Sequence, residues 1–309
     1  MASALFLQLI ATFSFLLSSC FAGPLSLQSR AVSSSDYDKL SRFEQFAAAA
    51  YCPGNSNVAS GGKKLTCAAG NCPSVEAADV ETVYEFQNSL ATDVTGYIAV
   101  DKTNGLTVLA FRGSKSVRNF ITDVQFPTVA TDLCNGCKVS QGFWTSWLEA
   151  RDGVLAALKT TAASYPSSKV VVVGHSLGGA IADLATAEIK KGGTPADLYT
   201  FGAPRIGGAT TSSFISNQGL GNIYRTTHKN DPVPRLPPVP LGFVHISPEY
   251  YITSPNGVTP TAADITRYSG SINLLGNTGS NPLQLDISAH GWYFNAIGAC
   301  GGSDFEFRK

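Results

Sequence analysis

Charged residues are scarce in this chain of 309 residues: only 14% are Asp, Glu, Lys or Arg. The 22 basic and 22 acidic side chains balance, and there are only four histidines, so the sequence lacks a basic footprint for nucleic acid. It also lacks internal repeats, linker-like stretches and N-x-S/T acceptors for N-glycosylation. Because 44% of the residues are hydrophobic, a packed core is expected rather than a disordered chain.

Long apolar runs are absent except at the N-terminus, where residues 4–17 are almost entirely apolar. This run is shorter than the ~20 residues of a membrane-spanning helix. We predict a secretory signal peptide over residues 1–22, with an uncleaved signal anchor as the alternative. Residues 23–30 end in a basic residue and predict a short propeptide, which leaves one domain over residues 31–309. We therefore expect a secreted, extracellular protein without a transmembrane segment.

Cysteine is present in an odd number, seven, but Cys20 lies in the predicted leader and is removed with it. An even set of six in an oxidising compartment predicts disulfides. Four of the six lie in two short loops, CAAGNC at 67–72 and CNGC at 134–137, and Cys52 and Cys300 lie near the two ends of the domain. The alternatives for C-x-x-C are a zinc site and a redox pair. No Cys or His cluster completes a four-ligand zinc set, and CNGC lies in a turn-rich loop without the βαβ setting of a redox motif. We expect no metal and no organic cofactor.

Strand and helix patterns alternate along the predicted mature chain. The apolar, β-branched or aromatic runs that predict strands are residues 94–100, 106–111, 170–173, 198–201 and 223–227. The helical patterns are residues 36–51, 143–163, 177–190 and 208–218. This alternation predicts an α/β fold with a mostly parallel central sheet and helices on both faces.

The motif Gly174-His175-Ser176-Leu177-Gly178 fits the pattern G-x-S-x-G and directly follows four valines. A buried strand, a sharp turn and a helix are the setting in which this pattern holds a nucleophilic serine. The turn is expected to expose the Ser176 hydroxyl, and the N–H of Leu177 is expected to point at a developing oxyanion. An ordinary strand-to-helix turn is the alternative.

A nucleophilic serine needs a histidine base and a carboxylate that orients it, in the chain order Ser, Asp or Glu, His. The histidines that follow the serine are His228, His245 and His290. The aspartates that follow it are Asp183, Asp197, Asp231, Asp264 and Asp286. Asp231 comes after a predicted sheet strand and is favoured as the orienting group. His290 is favoured as the base, with His245 as its competitor.

The segment Phe111-Arg112-Gly113-Ser114 ends an earlier strand and predicts Ser114 as the second oxyanion donor. An apolar stripe with helical spacing follows at once and consists of Val117, Phe120, Ile121 and Val124. We predict a short amphipathic helix that covers the site as a lid and opens on a lipid surface. The alternative is a surface helix that packs permanently on the core.

Eight motifs resemble those of the secreted filamentous-fungal class 3 lipases of the α/β-hydrolase superfamily. They are FRGS at 111–114, SVRNF at 116–120, GFWTSW at 142–147, GHSLGG at 174–179, FGAPRIG at 201–207, THKNDPVPRLPP at 227–238, FVHISPEYYITSPN at 243–256 and AHGWYF at 289–294. The likeness covers nearly all of residues 36–300. It is closest to the mono- and diacylglycerol lipases, with triacylglycerol lipases next.

The resemblance implies a serine esterase of the α/β-hydrolase fold with a short helical lid. The implied triad is Ser176, Asp231 and His290, the implied oxyanion hole is Ser114 and Leu177, and His245 becomes structural. The implied disulfides are Cys52–Cys300, Cys67–Cys72 and Cys134–Cys137. The implied substrates are acylglycerols at a lipid–water interface, hydrolysed through an acyl-enzyme, and we expect a monomer. Family members often carry Trp in the lid where this chain has Phe120.

Three other functions are alternatives to an acylglycerol lipase. A feruloyl-type esterase shares this scaffold, but we expect its lid region to be more polar than residues 117–124 are here. A non-catalytic lipid- or wall-binding homologue would not need an intact set of Ser, Asp and His. A protease shares the triad, but nothing in the sequence indicates a peptide-binding edge.

Overall fold

The computed structural model describes residues 30–87, 89, 91–114 and 126–304. The strands are β1 Arg30–Ala31, β2 Val80–Phe86, β3 Gly96–Asp101, β4 Leu106–Phe111, β5 Thr128–Ala130, β6 Lys138–Ser140, β7 Lys169–His175, β8 Ala196–Phe201, β9 Ile223–His228, β10 Glu249–Ile252 and β11 Ile265–Tyr268. The helices are α1 Ser34–Ala49, α2 Pro73–Ala77, α3 Gln141–Ser164, α4 Leu177–Lys191, α5 Ala209–Asn217 and α6 Ile287–His290. The predicted lid residues Val117, Phe120, Ile121 and Val124 lie outside the described residues.

The main sheet has nine strands in the order β1-β11-β10-β9-β8-β7-β4-β3-β2. The five central strands, from β10 to β4, run parallel to one another. The outer strands pair antiparallel on both sides. The predicted mostly parallel sheet is therefore confirmed at its centre, and the predicted strands at 94–100 and 106–111 form its antiparallel β3–β4 pair.

Strand β7 explains why helices cover both faces of the sheet. Side chains alternate between the two faces of a strand. Val171 and Val173 pack in one core cluster with Phe43 and Phe46 of helix α1. Val172 packs in the other cluster, which contains apolar side chains of helices α3 and α4. The run of valines is therefore buried on both faces, as the sequence predicts.

The parallel pairing gathers the chemistry-bearing loops at one edge of the sheet. Phe111 at the end of β4 pairs with Gly174, and His175 at the end of β7 pairs with Phe201. Phe201, at the end of β8, pairs with Thr226 of β9. Because the carboxyl ends of parallel strands share an edge, the loops that follow β4, β7 and β9 meet there.

All six cysteines of the described chain form disulfides, in the pairs that the resemblance implies. Cys52–Cys300 joins residues 248 positions apart, with Cα atoms 4.6 Å apart. Cys67–Cys72 and Cys134–Cys137 close the two short loops. The zinc alternative is therefore wrong. Among the described helices, none combines the length and apolar character that crossing a membrane requires.

Candidate active site

Ser176 occupies a strained turn between strand β7, which ends at His175, and helix α4, which begins at Leu177. Its φ is 56° and its ψ is −129°, in the region that normally requires glycine. A Cβ at Gly174 would lie 2.2 Å from the carbonyl oxygen of Gly178, and a Cβ at Gly178 would lie 2.3 Å from the carbonyl oxygen of Phe111. The two motif glycines therefore let the strand, the helix and the loop after β4 approach one another.

The Ser176 hydroxyl is enclosed in this conformation. The residue is 1% exposed, and within the described residues its Oγ makes no hydrogen bond. A Cβ at Gly113 would lie 3.0 Å from Cβ of Ser176, which shows how closely the neighbouring loop covers it. The prediction of an exposed hydroxyl is therefore wrong here, because the residue is buried and the backbone at Gly113 lies against its side chain.

Asp231 and His290 form a buried carboxylate–imidazole pair. Asp231 follows β9, and His290 is the last residue of α6. The His290 Nδ1 lies 3.0 Å from Oδ1 and 2.9 Å from Oδ2 of Asp231, and neither residue is exposed. Asp231 also accepts hydrogen bonds from the Val233 amide at 2.9 Å and from the Tyr293 hydroxyl at 2.7 Å. These contacts fix the carboxylate and hence the orientation of the imidazole.

The other three histidines bind backbone carbonyl groups instead. The His245 Nε2 lies 2.6 Å from the carbonyl oxygen of Pro234. The ring nitrogens of His228 lie 3.1 and 2.9 Å from the carbonyl oxygens of Ala289 and Ser254. Of the four, His290 is the one whose ring nitrogen contacts a carboxylate in the described chain. The geometry therefore distinguishes His290 from His245, its competitor in the sequence.

Among the other aspartates, Asp183 is buried in helix α4, where burial raises the pKa of its carboxyl group well above the usual range and the charge of Arg225 partly opposes the rise. The charged group that acts on its pKa is Arg225, and no histidine does. Asp286 accepts from the Ser288 amide at 2.9 Å as the cap of helix α6. Asp264 caps a turn at Thr261. These residues have local roles that account for their positions.

His290 lies beside the strained serine turn. Its ring centroid is 4.5 Å from that of His175, the residue that precedes Ser176. The Ser176 amide donates to the carbonyl oxygen of Phe201 at 2.9 Å, and a Cβ at the next residue, Gly202, would lie 2.9 Å from Nδ1 of His290. Gly202 has a φ of 62°, and its lack of a side chain leaves room for the imidazole next to the turn.

The loop after β4 lies against the same turn. The Arg112 amide donates to Thr95 at 2.9 Å, and the Arg112 side chain pairs with Asp93 at 2.9 Å. These contacts hold Gly113 against Ser176 and leave Ser114, which is half-buried, as the next residue along the loop. On the other side, the N–H of Leu177 lies in the first turn of α4, where backbone N–H groups have no intrahelical acceptor.

Two tyrosines in this site escape prediction from the sequence. Tyr293 lies three residues after His290 and donates to Asp231; burial, followed by the negative charge of Asp231, raises the pKa of Tyr293 well above its usual range. Tyr51 reaches the site from the end of helix α1, 124 residues before the residue it contacts, His175. The spacing of Tyr293 from His290 is a local signal, whereas nothing local to Tyr51 indicates its partner.

Comparison with known proteins identifies the family. The family model "Lipase (class 3)" matches residues 108–241, and the model "Lipase 3 N-terminal region" matches residues 9–84. The secreted mono- and diacylglycerol lipase A of Penicillium cyclopium is 46% identical over 291 residues, which are 94% of each chain. This chain belongs to the class 3 lipases. It is a carboxylic ester hydrolase and is secreted, as the names of its relatives confirm.

Two further relatives agree with this assignment. The secreted mono- and diacylglycerol lipase 1 of Fusarium solani is 41% identical over 278 residues, 89% of this lipase and 81% of that protein. The crystal structure of a mono- and diacylglycerol lipase from Aspergillus oryzae superposes with a TM-score of 0.81 at 44% identity, covering 85% of this lipase and 98% of that chain. The α/β-hydrolase fold is thereby confirmed, and the feruloyl esterase, protease and non-catalytic alternatives are not favoured.

Proposed function

We propose that this lipase hydrolyses mono- and diacylglycerols, and triacylglycerols as a further class, with Ser176, His290 and Asp231 as its catalytic triad. The observation that carries the proposal is the buried Asp231–His290 pair next to a serine in a strained strand-to-helix turn. The choice of glycerides is supported by the relatives from Penicillium cyclopium and Fusarium solani, which are named as mono- and diacylglycerol lipases.

In the proposed mechanism, the Ser176 Oγ attacks the ester carbonyl carbon while Nε2 of His290 accepts the hydroxyl proton. Asp231 holds the opposite nitrogen, Nδ1, and stabilises the imidazolium that forms. The N–H groups of Ser114 and Leu177 donate to the tetrahedral oxyanion. The C–O bond then breaks, and the glycerol oxygen leaves with the proton from His290.

The second half of the cycle repeats these steps with water. A water molecule gives a proton to His290 and attacks the acyl carbon, and the second tetrahedral intermediate collapses to release the fatty acid and restore Ser176. Every proton transfer is made by one imidazole, so the residues described above need no metal for this chemistry.

The substrate class is tested by assaying the purified enzyme on emulsions of mono-, di- and triacylglycerol beside methyl ferulate. We expect fatty acid release from mono- and diacylglycerol to exceed release from triacylglycerol, and methyl ferulate to remain intact. Preference for triacylglycerol would overturn the glyceride assignment, and release of ferulate alone would overturn the lipid substrate altogether.

We further propose that the enzyme contacts the lipid surface through an uncharged segment, residues 268–285, that precedes His290. It contains no Asp, Glu, Lys or Arg, and three of its leucines are strongly exposed: Leu274 at 73%, Leu275 at 64% and Leu283 at 91%. The segment is anchored to the site, because the Asn277 side chain donates to the carbonyl oxygens of His228 and Asp231. Exposed leucines in a segment that has no charged side chain of its own favour an apolar partner.

Replacing Leu274, Leu275 and Leu283 together by serine should lower activity on diacylglycerol emulsion roughly tenfold or more, because each buried leucine is worth about 1.5–3 kcal/mol. Hydrolysis of a soluble short-chain ester should stay near wild type. Leu220→Ser is the matched control: Leu220 is 45% exposed, but its carbonyl accepts from Ala196 at the start of β8, on the opposite edge of the sheet. Equal losses on both substrates, or an equal effect of the control, would contradict this contact surface.

We also propose that the mature enzyme comprises residues 31–309 and acts as a monomer. The support for a monomer is that one chain supplies all the proposed site residues. The two-residue edge strand β1 contains the proposed cleavage point after Arg30, in the extended form that proteases bind. N-terminal sequencing of the secreted enzyme and its mass in solution test both points.

A further inference from the structure

A row of buried hydrogen bonds runs behind the proposed catalytic residues. The Tyr51 hydroxyl lies 2.5 Å from Nδ1 of His175. Nε2 of His175 lies 2.8 Å from the backbone carbonyl oxygen of His290. Tyr51 is 2% exposed, and His175 is not exposed at all, so water does not compete for these bonds. The row connects the end of helix α1 to the backbone of the proposed base.

The direction of each bond follows from the chemistry of the groups. Burial lowers the pKa of His175 well below its usual range, and the nearby His290 lowers it further, so His175 is neutral and carries one ring hydrogen. A carbonyl oxygen can only accept, so that hydrogen is on Nε2. Nδ1 is then the acceptor, and the Tyr51 hydroxyl is the donor. The donor and the acceptor are therefore assigned in both bonds, and neither bond involves a charged group.

The row ends beside the loop that follows β4 and carries the proposed oxyanion donor Ser114. The Gly113 backbone lies against the Tyr51 hydroxyl, since a Cβ at Gly113 would lie only 2.2 Å from that oxygen. The two bonds of the row therefore run from the Tyr51 O–H to His175 and from the His175 N–H to the carbonyl oxygen of His290. One end is adjacent to the proposed oxyanion donor Ser114, and the other end is the backbone of the proposed base.

We propose that Tyr51 and His175 are positioning residues. Tyr51 packs against Gly113 in the loop that carries Ser114, and the hydrogen-bonded row from Tyr51 through His175 fixes the His290 backbone relative to Ser176. The inference rests on the proposed roles of Ser176, Ser114 and His290 and extends them to two residues outside the proposed triad and oxyanion hole. It gives the variable position of G-x-S-x-G a function in this chain. Ser176, the next residue, forms the bond to the substrate. His175 fixes the position of the His290 backbone relative to the loop that carries Ser114, and both His290 and Ser114 act on the substrate.

The alternative is that Tyr51 and His175 only fill the core. A second buried tyrosine in the described chain offers a matched control: Tyr97 is fully buried, and its hydroxyl donates to the carbonyl oxygen of Phe46 in the same helix, at 2.7 Å. Loss of either hydroxyl removes one buried hydrogen bond. Of these two hydroxyls, only that of Tyr51 connects to the site. If both tyrosines only fill the core, Tyr51→Phe and Tyr97→Phe should affect turnover equally; if Tyr51 positions the site, only Tyr51→Phe should lower turnover.

The first test compares Tyr51→Phe with Tyr97→Phe on a soluble short-chain ester. We expect Tyr51→Phe to lower kcat roughly 10- to 100-fold with KM within about twofold, because a misplaced catalytic group costs rate rather than binding. Affinity for a boronic acid, which forms a tetrahedral adduct with the serine, should fall with it. Tyr97→Phe should lower the melting temperature and leave kcat and boronate affinity unchanged.

The second test separates the two bonds of His175. Glutamine places an N–H donor near the position of Nε2 and asparagine places an acceptor near that of Nδ1, so His175→Gln keeps the bond to His290 and His175→Asn keeps the bond to Tyr51. His175→Gln should lower kcat as Tyr51→Phe does, and combining the two should lower it no further, because both remove the same bond. His175→Asn combined with Tyr51→Phe should cost more than either alone.

Multiplicative losses for Tyr51→Phe with His175→Gln would overturn the inference, as would wild-type kcat in Tyr51→Phe. Such a result would leave the proposed function standing, provided that the serine variant described below is inactive. If the proposed function itself is wrong, Ser176→Ala will instead retain full activity.

Discussion

Ser176→Ala is expected to lower kcat by about 10⁴-fold or more while leaving the fold intact, because alanine removes the atom that would bond to the acyl group. The strained backbone of residue 176 is held by the flanking glycines and by the bond from its amide to Phe201, and neither depends on the hydroxyl. Hydrolysis of a soluble ester measures the loss, and labelling with a fluorophosphonate should disappear with it.

Ser146→Ala is the matched control for this experiment. Ser146 is also buried, but it lies in helix α3 and donates to the carbonyl oxygen of Gly142 at 3.0 Å, away from the site. This variant should retain both hydrolysis and labelling. Activity above about 0.1% of wild type in Ser176→Ala would exceed what oxyanion binding alone leaves and would remove Ser176 from the mechanism.

Asp231→Asn is expected to lower kcat by about 10⁴-fold, with a smaller effect on KM. Asparagine has nearly the shape of aspartate, but its amide N–H groups would face the groups that now donate to Asp231: Nδ1 of His290, the Tyr293 hydroxyl and the Val233 amide. The imidazole would then favour the tautomer with its hydrogen on Nε2, which cannot accept the serine proton. Steady-state kinetics on a soluble ester measure the change.

Asp183→Asn controls for the loss of a buried aspartate. Burial raises the pKa of Asp183 well above its usual range, which favours the uncharged carboxyl group, and asparagine is an uncharged side chain of nearly the same shape. We expect its kcat to stay within about twofold of wild type. If Asp183→Asn abolished activity and Asp231→Asn did not, the assignment of the carboxylate would be wrong.

The serine turn could be predicted from the sequence because its determinants are local. The run from Val170 to Val173 predicts a strand buried on both faces, and the glycines on either side of Ser176 predict a close turn into a helix. Chain order after the proposed nucleophile favours Asp231 and His290 and leaves His245 as a competitor, and the structure brings Asp231 and His290 within hydrogen-bonding distance. The predicted boundaries of these strands and helices differ from the structure by only a few residues.

Strand β10 and the positioning row could not be predicted, because their determinants lie far apart in the chain. Glu249 in β10 is a charged residue inside the sheet, where its carboxylate lies 3.5 Å from Arg225 of β9. A charged residue in a run of only four residues interrupts the apolar pattern by which a buried strand is predicted. Tyr51 and His175 are likewise assigned only when the fold brings them together.

The Cys52–Cys300 disulfide has a consequence for how this enzyme is made. Cys52 follows Tyr51 directly, and Cys300 lies ten positions after His290, so the bond joins the two chain segments at either end of the hydrogen-bonded row. In a reducing cytosol this bond would not persist. Recombinant production therefore needs an oxidising compartment or oxidative refolding, and preparations of equal purity will differ in turnover according to the fraction of molecules in which this one pair of sulfur atoms is joined.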